Sequence, residues 1–88
     1  MRWENEARQL LKAEIVRKGL TYERLAKALQ AIGIAETPRS IANKISRGSF
    51  SFVFFLQCLR ALGAETVTIQ LPQASAQLPS AIPDVDLH

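Results

Sequence analysis

Four glycines constrain this chain more than any other feature. Gly19, Gly33, Gly48 and Gly63 each close a stretch in which apolar residues recur every three or four positions. That spacing predicts a helix with one buried stripe, and a glycine directly after it suits the left-handed residue that ends a helix. The glycines therefore read as stop signals rather than as a phosphate-cradling loop, and the chain up to Gly63 reads as a run of short helices. At 88 residues it makes one domain.

The first segment runs from about Trp3 to Lys18, with Trp3, Ala7, Leu10, Leu11 and Ile15 as its inward stripe and Trp3 as a packing residue. Arg17 and Lys18 fall in its last turn, where the helix dipole favours positive charge. Thr21 is placed to cap the second helix, whose inward face is Leu25, Ala26, Leu29 and Ile32. Residues 33–36 read as a turn, with Ile34 packed inward. Thr37-Pro38 is the clearest start signal, a cap followed by proline at the first helical position. The third helix is expected over Pro38–Arg47, burying Ile41, Ala42 and Ile45. Ser49-Phe50-Ser51 offers another turn and cap, and Phe52, Phe55, Leu56, Leu59 and Leu62 line an apolar fourth helix. Phe50, Phe52, Phe54 and Phe55 cannot all face one core, so Phe54 with Val53 or Cys58 is expected on an exposed apolar patch.

Beyond Gly63 the pattern changes. Thr66-Val67-Thr68-Ile69-Gln70-Leu71 alternates polar and apolar residues with β-branching, which predicts a strand. A lone strand has unpaired edges, so a homodimer through it or through the aromatic fourth helix is expected. From Pro72 on, Pro, Ser, Gln and Ala predict a flexible tail. The expected fold is thus all-α, with four or five helices and a short C-terminal strand in residues 1–71 and a tail over 72–88.

Composition narrows the function. Cys58 is the single cysteine, which rules out an internal disulfide, and no second Cys or His cluster completes a zinc site. The N-terminal residues carry charges where a signal peptide needs an apolar run, and no stretch approaches the ~18 apolar residues of a membrane span. A cytoplasmic, soluble protein is expected. The one histidine is His88, no nucleophile–base pair is placed on a fixed element, and the carboxylates are scattered, so neither enzymatic activity nor a cofactor or small-molecule substrate is expected. All 11 Lys and Arg residues lie before Gly63 against five acids, a net +6, whereas residues 64–88 carry three acids and no base. A basic body of this kind suits a polyanionic partner.

The third helix is where that charge is organised. At 100° per residue, Arg39, Ser40, Asn43, Ser46 and Arg47 lie opposite Ile41, Ala42 and Ile45, with Lys44 at the boundary. Arginine can pair both acceptors of guanine, and asparagine the donor and acceptor of adenine, so such a face has the chemistry of major-groove reading.

The segment Lys18-Gly19-Leu20-Thr21-Tyr22-Glu23-Arg24-Leu25-Ala26 resembles the capped second helix of Cro/CI-type (lambda-repressor-like) helix-turn-helix domains. Arg39-Ser40-Ile41-Ala42-Asn43-Lys44-Ile45-Ser46-Arg47-Gly48 is similar to their recognition helix, and Phe52 to Gly63 to their fourth helix. The likeness spans Ala7 to Gly63, with several residues more than the usual spacing between Ala26 and Ala42. The whole also resembles short bacterial domains of unknown function. The resemblance implies sequence-specific binding of double-stranded DNA and transcriptional regulation, with base and phosphate contacts from Arg39, Ser40, Asn43, Lys44 and Arg47 and a phosphate contact from the cap Thr21. The alternative is a protein-interaction module of the same fold, antitoxin-like or partner-bound, without DNA reading.

Overall fold

The computed structural model describes residues 2–72. These form four helices and, among the described residues, no strand: α1 (Trp3–Arg17), α2 (Tyr22–Ala31), α3 (Pro38–Arg47) and α4 (Phe52–Ala61). None of the four is long and apolar enough to cross a membrane.

The last three helices share one start device. Thr21, Thr37 and Ser51 stand in extended backbone just before α2, α3 and α4, and each hydroxyl oxygen accepts a backbone N–H of the first turn. Such a cap satisfies a donor that the helix itself cannot, and contributes about 1 kcal/mol. The cap of α3 is reciprocal, because the Thr37 N–H also donates to Ser40 Oγ at 2.9 Å. With Pro38 at the first helical position, the start of α3 is the most tightly specified point in the chain.

Leu11, Leu25, Leu29, Ile41, Ile45 and Cys58 are fully buried, so every helix contributes to one core. Burying an aliphatic side chain of this size contributes roughly 1.5–3 kcal/mol. α3 packs on both α1 and α2, and α2 also packs on α4. The chain approaches the start of α1 at Gly48, which follows α3 with φ +71°. A β-carbon there would lie 2.8 Å from the carbonyl carbon of Glu4 and would collide with its oxygen. Gly48 thus combines a backbone conformation that L-residues avoid with an approach that only hydrogen permits.

Four inward assignments, Trp3, Ile32, Phe52 and Leu56, are corrected by the packing. α4 buries Phe54, Phe55, Cys58, Leu59 and Leu62 and leaves Phe52, Val53 and Leu56 exposed. Phe54 and Cys58 are core residues, not members of a surface patch, and Phe52 takes the outward place. Apolar residues fill positions 52–56 without a break, so periodicity alone assigns α4 no unique phase. Phe50 decides it by meeting Phe54 edge-on, with ring centroids 5.8 Å apart. Trp3 is exposed rather than packed, and Ile32 also stands in solvent, at the C-terminal cap of α2. Ile34 does pack against the core.

The strand expected at Thr66–Leu71 does not form within the described residues, which offer it no partner segment. A ladder needs two strands. Val67 nevertheless packs on the core while Thr66 and Thr68 stay in water. The tail expected over 72–88, with His88, lies beyond the described residues from position 73 on.

Candidate nucleic-acid interface

Ile41 and Ile45 fix the orientation of α3, because both are fully buried one turn apart. The residues that face away from them follow directly. Arg39, Asn43 and Arg47 are exposed and share one i, i+4, i+8 row, and Ser46 is exposed beside them. None of the three row residues makes an ion pair or side-chain hydrogen bond to another described residue. The guanidinium groups and the amide are therefore left to solvent.

Ser40 and Lys44 behave differently. They form a second row one turn apart, and both reach back to Glu36, a carboxylate buried in the connection before α3. Ser40 Oγ donates to Glu36 Oε1 at 2.6 Å, and Lys44 Nζ forms an ion pair with Glu36 Oε2. The Lys44 ammonium also lies 4.9 Å from the centroid of the Phe54 ring, in reach of a cation–π attraction. Burial by itself would push the Glu36 pKa up. The hydrogen bonds from Lys44 and Ser40, with the charge of Lys44, outweigh it and hold the carboxyl below its ordinary value. The Lys44 charge is thereby spent inside the molecule, although its side chain remains 37% exposed.

Thr21 belongs to neither row. Its hydroxyl accepts from the Arg24 N–H at 3.2 Å as the cap of α2. The α2–α3 connection spans residues 32–37, longer than the three or four residues usual between the helices of a helix-turn-helix. It is held at its far end, where Gln30 Nε2 donates to the Glu36 carbonyl at 2.9 Å.

Residues 3–67 match a family described as a domain of unknown function (DUF6471). The chain belongs to this family. No curated protein and no solved structure matches it. The span matched by the DUF6471 family takes in all four helices together with Glu36, Ser40 and Lys44.

The expected contact residues are thus divided. Arg39, Asn43 and Arg47 come together on one open face, Ser40 and Lys44 are bonded to Glu36, and Thr21 sits at another helix start. Glu36 escaped the sequence reading, which placed it in a featureless turn. Its signal is faint: Glu36 stands four positions before Ser40 and eight before Lys44, but it precedes the extended cap Thr37 and so lies off the helix. Among the described residues no three His, Cys, Asp or Glu side chains gather as a metal site.

Proposed function

We propose that this DUF6471 domain binds double-stranded DNA as a Cro/CI-type helix-turn-helix domain, with α3 entering the major groove, and that it acts as a transcriptional regulator. The observation that carries this reading is the unneutralised row Arg39–Asn43–Arg47 on a helix whose opposite side is locked into the core by Ile41 and Ile45. Two arginines can each take a guanine edge or a phosphate, and the asparagine between them has the donor and acceptor that adenine presents. A rigid, capped helix limits the entropy lost when such side chains dock. Ser46 is exposed beside this row, Thr21 at the start of α2 would add a phosphate contact, and Lys44 supplies a weaker positive field from behind its pair with Glu36.

Duplex binding measured by fluorescence anisotropy over a salt series tests this. Random duplex should bind with a log affinity that falls linearly with log salt, and a selected site should bind more tightly. If no duplex binds even at about 50 mM salt, where counterion release favours any basic helix, the reading fails and a protein-interaction module takes its place.

A further inference from the structure

Away from α3 the surface changes character. Ile69 forms the wall between two adjoining apolar depressions, one reaching Trp3 and Leu71 and the other reaching Phe50 and Phe52, with Ala7 and Leu10 as a shared floor. The rims are wide open to water: Trp3 is 60%, Phe52 65% and Leu71 69% exposed. Among the described residues, no backbone N–H or C=O of Thr66–Leu71 has a backbone partner. An alternating segment with Val67 packed on the core, Ile69 and Leu71 open to water and an unpaired backbone has the makings of an open sheet edge.

We propose that this face binds a second copy of the chain, with Thr66–Leu71 pairing antiparallel to its own counterpart about a two-fold axis at Ile69. The proposal is independent of the DNA reading. Charge selects the occupant. Thr66–Leu71 holds no charged side chain, in a chain whose residues before Gly63 carry +6, so the paired segments themselves oppose no like charges, and Glu6 is the one charged residue lining either depression. Area is compatible: Trp3, Phe52, Ile69 and Leu71 leave on the order of 500 Å² of mostly apolar surface in water around the two depressions, against the ≈ 800 Å² that each partner gives to a standard interface.

Register follows from the alternation. In an antiparallel pair, opposite residues share a face, so a two-fold axis between residues would set Val67 against Gln70 and mix apolar with polar. An axis through Ile69 sets Val67 against Leu71, Ile69 against itself and Thr68 against Gln70. Every pair then matches, whereas an axis through Thr68, which has the same parity, would set Leu71 against Glu65. The same register places Thr66 opposite Pro72, and proline has no N–H to donate, so that pair must be a non-hydrogen-bonded one. Pairs alternate, which makes Ile69–Ile69 a hydrogen-bonded pair with Cα atoms about 5.5 Å apart, inside the range a disulfide spans.

Sedimentation and cysteine cross-linking of the full chain test this together. Wild type should sediment as a dimer at tens of micromolar, and Ile69→Lys should weaken the dimer at least about tenfold, or 1.4 kcal/mol, while its helical circular dichroism stays unchanged. With diamide as oxidant, Ile69→Cys should cross-link and Thr68→Cys should not, since Thr68 lies diagonal to its own copy, about 7–8 Å away. Cys58 is fully buried and does not compete. Three outcomes overturn the proposal. A wild-type monomer would mean that another part of this chain or a different protein covers the face. Cross-linking through Thr68→Cys but not Ile69→Cys would place the axis elsewhere, and equal cross-linking by both would mean no defined register.

Discussion

Two rows run side by side along α3, each at the same four-residue spacing, and they differ in one acid. Ser40–Lys44 reaches back to the Glu36 carboxylate, and it closes there against Phe54. Arg39–Asn43–Arg47 has no acid, and it stays open to solvent. Equal spacing and similar residue types thus lead to opposite states, one row bonded to Glu36 and the other open to solvent. Basic residues on a helix do not by themselves mark an interface.

The strongest test removes the frame on which both rows depend. Gly48→Ala brings a methyl group into the Glu4 carbonyl at a left-handed backbone position, and it should cost roughly 2–4 kcal/mol in chemical denaturation. A loss below 1 kcal/mol would show that the end of α3 is not anchored on α1. Next in size are changes in the open row. Asn43→Ala or Arg47→Ala should weaken a selected DNA site by about 1–3 kcal/mol and relax its sequence preference. Folding stability should move by no more than about 0.5 kcal/mol, because these side chains are exposed and make no ion pair or side-chain hydrogen bond among the described residues. Equal losses in stability and binding would erase the distinction between the rows.

Glu36→Gln should do the reverse. It leaves Lys44 without its countercharge, and a loss of about 1–2 kcal/mol of stability is expected near neutral pH, moderated by the solvent around Lys44. Because the folded protein holds the Glu36 pKa below its ordinary value of 4.5, the stabilisation is fully present above that pH. It disappears as pH falls through the lowered folded-state value. Wild type and Glu36→Gln should therefore converge in acid, and a gap that persists there would assign the effect to shape rather than charge. The smallest effect is in the salt slope. Arg39→Ala should reduce it by about one unit and Lys44→Ala by less, since Glu36 already neutralises that lysine.

Most of the helical frame was legible because its punctuation is local. Thr37-Pro38 and Gly48 bound α3 at the positions their chemistry predicts, and Thr21 caps α2 likewise. The phase of α4 was not legible, since Phe52 through Leu56 present apolar side chains on every side and only contact with Phe50 selects Phe54 for the core. Asn43 and the two arginines were visible from helical geometry. The withdrawal of Lys44 was not, because it depends on Glu36 being buried from a connection that carries no periodic pattern. Thr66–Leu71 illustrates a third limit: alternation specifies how a segment would pair, but pairing requires a second segment.

One consequence lies in the core itself. Cys58 is the single thiol in the chain, it has no solvent exposure, and burial, with the nearby Glu36 carboxylate, pushes its pKa up to about 12. It stays protonated and shielded at any ordinary pH, so an alkylating reagent reaches it only when the helices part. The labelling rate is therefore a clock for the breathing of the fold, readable by mass spectrometry in an unmodified molecule. A ligand that holds the helices together would slow that clock, whichever face it occupies.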